Sequence, residues 1–140
     1  MSIELVPLAT ATATLAPPIM LPGTPAGTRV IYEISDYRFE GERLAARQRG
    51  TCAADWLVVG PDGSATLDAR VTLETHDGAV VLLQYGGRVD STRGLGGGAI
   101  YAAFRFDTGD ERYTWLNRMQ AVAKGCLEGS RVSYEVYELR

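Results

Sequence analysis

From Leu67 to Glu74 apolar and polar residues alternate without a break. A period of two is the mark of a strand whose faces meet different surroundings. Leu67, Ala69, Val71 and Leu73 share one face; Asp68, Arg70, Thr72 and Glu74 share the other. Thr75-His76-Asp77-Gly78 follows, and the Asp-Gly pair predicts a hairpin turn, because glycine supplies positive φ without steric cost.

The same reading extends along the chain. Ile3 to Leu15 is extended in character, with strict alternation from Ala9 to Thr14, and Pro17-Pro18 ends it. Leu21 to Gly27 reads as a Pro/Gly loop. Strands are expected over Thr28–Ser35, over Tyr37–Arg47 with a bend at Gly41, and over Ala54–Val59. Pro61-Asp62-Gly63 has turn chemistry. Ser64–Glu74, Ala79–Arg88, Ala99–Asp107 and Arg131–Leu139 complete the strands. The glycine-rich stretch Asp90–Gly98 is a loop, and Tyr113–Ala123 fits either a short helix or an irregular strand. Many strands with tight turns and no sustained helical period point to a single all-β domain, an antiparallel sandwich or barrel. Closure into a barrel removes exposed edges.

Composition narrows the chemistry. Apolar residues make up 46% and charged residues 22% of 140, which is globular and fits one domain. The net charge of −3 and a single lysine, Lys124, argue against nucleic acid as a partner. His76 is the only histidine and sits in a turn, so a histidine-built metal centre is excluded and no metal or other cofactor is expected. The glycine loop lacks the Lys-Ser/Thr ending of a phosphate loop. Cys52 and Cys126 allow a disulfide, but two buried thiols are the expectation for an intracellular protein. No secretory leader pattern and no membrane-length apolar run are evident, so the default location is the cytoplasm.

Several short pieces, taken in order, carry a resemblance. They are Gly27-Thr28-Arg29, Phe39-Glu40-Gly41, Ala54-Asp55-Trp56, Leu67-Asp68-Ala69-Arg70, Thr75-His76-Asp77-Gly78-Ala79 and Tyr113-Thr114-Trp115-Leu116-Asn117, followed by a Tyr/Val-rich final strand. Together they resemble the DUF3237 (UPF0311) family of small proteins over nearly the whole chain. The resemblance implies a compact, closed or nearly closed antiparallel β-barrel and leaves activity open. Ser35-Asp36 and Thr51–Ala54 depart from the glycine-rich pattern of the family at those places.

Candidate chemistry follows from side-chain type and face. Asp55 and Trp56 are adjacent, so only one of them enters a barrel lumen, and a buried Asp55 suits proton transfer. Asp68 and Arg70 lie about 7 Å apart on one face, close enough to hold one carbonyl-bearing or anionic ligand together. Placing both in the lumen makes Asp55, Asp68 and Arg70 the catalytic candidates. It also requires Leu67, Val71 and Leu73 to be covered from outside, by an outer layer or by a second subunit in a homo-oligomer such as a dimer. Arg29, Tyr85, Tyr101, Tyr113, Trp115 and Asn117 are the candidates for substrate binding. The favoured function is cofactor-independent acid/base conversion of a small organic metabolite, an isomerisation, cyclisation, elimination or hydrolytic step. The alternatives are a binding barrel that does no chemistry and a barrel with a packed interior.

Overall fold

The structure, a computed structural model, describes residues 1–140. Ten strands form it: β1 (Leu5–Leu15), β2 (Ile19–Thr24), β3 (Gly27–Glu40), β4 (Ala46–Gln48), β5 (Ala54–Val59), β6 (Ser64–Thr75), β7 (Val80–Asp90), β8 (Ile100–Thr108), β9 (Ala121–Glu128) and β10 (Arg131–Leu139). A 3₁₀ helix, Glu111–Arg118, joins β8 to β9.

Every pairing is antiparallel, and the sheet closes because β1 pairs both β10 and β3. The circuit has eight positions. One is shared by β4 and β5, which lie end to end between β3 and β6. β1 and β2 likewise run in succession along β3, with Pro17-Pro18 between them. β3 is therefore one strand of 14 residues, continuous through Ser35-Asp36 where two strands were expected. Leu21–Thr24, expected in a loop, is strand because β3 supplies the ladder.

Alternation decides what fills the barrel. Leu67, Ala69, Val71 and Leu73 point inward and are buried, while Asp68 and Arg70 are exposed on the outer wall. Asp68 and Arg70, expected in the lumen, therefore lie outside it. An eight-stranded barrel is just wide enough for its side chains to fill, and burying apolar surface outweighs placing an unpartnered charge inside. No outer layer is needed over Val71 and Leu73, because both lie in the core.

The lumen holds a run of aromatic rings. Tyr37 stacks on Phe39 at 5.6 Å between centroids, and Tyr85 stacks on Phe104 at 4.4 Å. Tyr134 meets Phe104 edge-on at 5.4 Å. Gly125 makes room for Tyr134: a Cβ there would come within 2.5 Å of its ring. Trp56 is not among the fillers, since it points outward.

The two ends differ. One is plugged by the 3₁₀ helix, whose Tyr113 and Leu116 are buried. Asp110 caps this helix by accepting from the Arg112 backbone N–H, which turns the chain before it can extend. At the other end the loop between β7 and β8 folds over the rim and brings Leu95 against the core.

Candidate functional site

The site begins with a row of paired residues running around the inside of the barrel. Tyr32 on β3 is opposite Asp55 on β5, which is opposite Ala69 on β6, which is opposite Tyr85 on β7. Asp55, and not Trp56, takes the inward position. It does so at the second residue of β5, just after the interruption that separates β4 from β5.

Tyr32, Asp55 and Tyr85 border a cavity of about 40 Å³ at the Leu95 end of the barrel. Of 14 lining residues 13 are hydrophobic, tyrosines included, and Asp55 is the single exception. Tyr32, Tyr85 and Tyr134 bring phenol groups to the same wall. The volume is room for about three waters, so a larger guest needs Leu95 and its loop to yield.

Asp55 is electrostatically distinct. One carboxylate oxygen accepts the Asp68 backbone N–H at 2.9 Å. Burial nonetheless dominates and raises its pKa from 3.8 to about 6; the hydrogen bond opposes that shift and the nearby Asp68 charge adds to it. Its charge in turn helps to raise the phenol of Tyr32, though burial is the larger cause there. Tyr37 donates to the Tyr85 hydroxyl at 3.4 Å, and burial pushes both phenols, and that of Tyr134, far above the ordinary tyrosine value. The tyrosines are therefore neutral hydrogen-bonding groups, and Asp55 is the group that changes charge near neutral pH.

The other expected site residues lie elsewhere. Arg29 is exposed on the outer face of β3, and Asp68 and Arg70 are on the outer face of β6. Tyr101 is exposed as well, because Ile100, Ala102, Phe104 and Phe106 claim the inside of β8; the Lys124 ammonium lies 5.6 Å from its ring centre. Tyr113, Trp115 and Asn117 belong to the opposite end. Tyr113 donates to Asp77 at 2.7 Å, and the Arg43 guanidinium sits 5.1 Å from the Trp115 ring centre. Asn117 accepts from the Thr108 N–H at 2.8 Å and donates to the Thr108 carbonyl at 2.9 Å, so it pins a turn. Cys52 and Cys126 are exposed and unbridged, contrary to the expected burial. Cys52 lies in the β4–β5 interruption, and Cys126 takes an outward position on β9.

Tyr32 and Tyr134 were not among the expected site residues. Tyr32 shares a face with Val30 and Ile34, and Tyr134 sits in the alternation of the last strand. Both were readable as inward, but their meeting with Asp55 depends on barrel closure.

An eight-stranded antiparallel barrel with one carboxyl in an otherwise apolar, tyrosine-bearing cavity defines the class. The chain belongs to the DUF3237 family, described as proteins of unknown function, whose model matches residues 3–139. It is similar to a beta-barrel-like protein from Acinetobacter baumannii, with 32% identity over 100% of this chain and 98% of that one, at a TM-score of 0.89. A conserved protein of unknown function from Rhodopseudomonas palustris is 24% identical, with 100% and 99% coverage and a TM-score of 0.91. An enzyme from Penicillium herquei has the same fold at 22% identity, with 99% and 94% coverage and a TM-score of 0.72. No curated protein matches the chain.

Proposed function

We propose that the protein admits a small, uncharged organic molecule at the Leu95 end of the barrel and that Asp55 moves a proton on it. The observation that carries this reading is the Asp55 carboxyl, with a pKa of about 6, in a wall that is otherwise hydrophobic. Such a group is part carboxylate and part acid near neutral pH, the condition in which one residue both takes and returns a proton. Tyr32, Tyr85 and Tyr134 are the hydroxyls available to a developing negative charge. Arg29 and Arg70 stay outside, so the guest is not an anion gripped by a guanidinium. Isomerisation, ring closure and elimination suit this equipment. That a barrel of the same fold from Penicillium herquei is an enzyme makes the fold compatible with catalysis.

A binding barrel without chemistry is the second reading, favoured by the predominance of apolar residues in the lining. The probe 5-nitrobenzisoxazole separates the two. A base removes the C–H proton of its isoxazole ring, the N–O bond breaks as the nitrile forms, and a coloured cyano-nitrophenolate is released. The expected result is a rate above buffer that rises as pH passes about 6 and disappears in Asp55→Asn. Amide NMR shifts at Leu95 and Tyr134 without turnover would favour binding alone. Neither shifts nor turnover would contradict both readings.

A further inference from the structure

β2 is the one strand of the sheet left with a free edge. It pairs β3 and nothing else. Its outer face continues across β3 and β5 in two rows. One row is Ile19, Ile31 and Trp56; the other is Leu21, Arg29 and Val58. Ile19, Leu21 and Trp56 are 47%, 40% and 41% exposed, which puts three large apolar side chains in water on one patch. A free edge beside an exposed apolar patch is an arrangement that proteins avoid unless something covers it.

The charges around the patch indicate what covers it. Arg29 and Glu33 on β3 and Asp68 and Arg70 on β6 are all exposed on the outer wall. None of the four takes part in an ion pair, all of which lie elsewhere on the chain. The patch is thus bordered by two positive and two negative side chains without partners. A polyanion or a charged membrane would meet like charge here. A surface with both signs is complementary to a copy of itself rotated by a two-fold axis. β2 itself, Ile-Met-Leu-Pro-Gly-Thr, has no charged residue, so pairing it antiparallel with another β2 brings no like charges together. Pro22 has no N–H to offer, and the register with β3 shifts between Leu21 and Thr24, so the edge open to a partner strand is short, which favours a closed pair over a growing fibre.

We infer that two copies of this chain form an isologous dimer through the β2 edge and the Ile19–Leu21–Trp56 face. Asp68 and Arg70 serve there as border charges. The inference is independent of any chemistry at Asp55.

Sedimentation and light scattering over micromolar to submillimolar concentrations test it. The expected mass is twice 15.1 kDa. Ile19→Lys and Trp56→Lys alter exposed residues and should leave the circular dichroism of the barrel unchanged, while raising the dissociation constant about 100-fold or more. As a check that needs no variant, amide exchange at Ile19–Leu21 in the unaltered protein should slow as concentration rises. A monomer throughout this range overturns the inference and leaves the face to a different protein. So does a dimer that both folded variants keep at full strength.

Discussion

The two ends of the barrel each combine an aspartate with a tyrosine, and they use the pair in opposite ways. At the plugged end Asp77 accepts from the Thr75 hydroxyl at 2.6 Å and from the Tyr113 hydroxyl at 2.7 Å, with the Arg112 guanidinium 3.2 Å away. These donors, led by Thr75, lower its pKa. At the Leu95 end Asp55 has one backbone N–H and an apolar wall, and its pKa rises to about 6. An aspartate surrounded by donors is a fixed anion that ties a hairpin to a helix. An aspartate in a dry wall has a charge that pH and a guest can both change. The difference lies in the number of donors and the loss of water, not in residue type.

The contrast can be broken by mutation, and the largest effect belongs to packing. Leu116 is fully buried in the plug, whereas Leu95 is only partly buried at the mouth. Leu116→Ala should cost about 2–5 kcal/mol in urea unfolding, and Leu95→Ala clearly less. Equal losses would mean that the two ends are packed alike.

The aspartates should respond with opposite signs. Asp55 has a raised folded-state pKa, so it favours the folded state most below pH 3.8, and this contribution is lost as pH rises through about 6. The two-unit shift corresponds to about 3 kcal/mol. Asp55→Asn keeps an oxygen for the Asp68 N–H and should raise stability at pH 8 by up to roughly that amount. Asp77 has a lowered pKa, so its contribution is present above the ordinary carboxylate range and is lost as acid protonates it. Asp77→Asn should therefore lower stability at pH 8, by a smaller amount, and flatten the acid limb. Unfolding free energy against pH for the two variants checks both signs.

The same contrast explains what could be read in advance. Alternation located most of the strands and separated the two faces of β6, because period and turn chemistry are local. Which face of β6 points inward is a property of closure. Asp68 and Arg70 look like a site only while the lumen is imagined as polar, and in a barrel this narrow the interior goes to Leu67, Val71 and Leu73. Asp55 was legible as one of two adjacent candidates, since a strand can send only one of them inside. Tyr113–Ala123 fitted either a short helix or a strand, and the 3₁₀ turn capped at Asp110 sets Tyr113, Trp115 and Asn117 at the plugged end, away from Asp55. The hairpin after β6 also has its own form. His76, Asp77 and Gly78 make a three-residue loop in which Gly78 alone has positive φ, at 92°, so glycine was the informative residue of the Asp-Gly pair. The free edge of β2 was hidden by Pro22 and Gly23, which read as a loop when β3 is not there to pair with.

Asp55 titrates near neutral pH because its carboxyl is largely withdrawn from water against an apolar wall. Carbon-13 NMR of the aspartate side-chain carboxyls, followed from pH 3 to pH 9 and assigned with Asp55→Asn, measures this directly. The expected midpoint is about 6 for Asp55, above that of Asp77. A midpoint at the ordinary value of 3.8 would contradict it and remove the basis for proton transfer at this site.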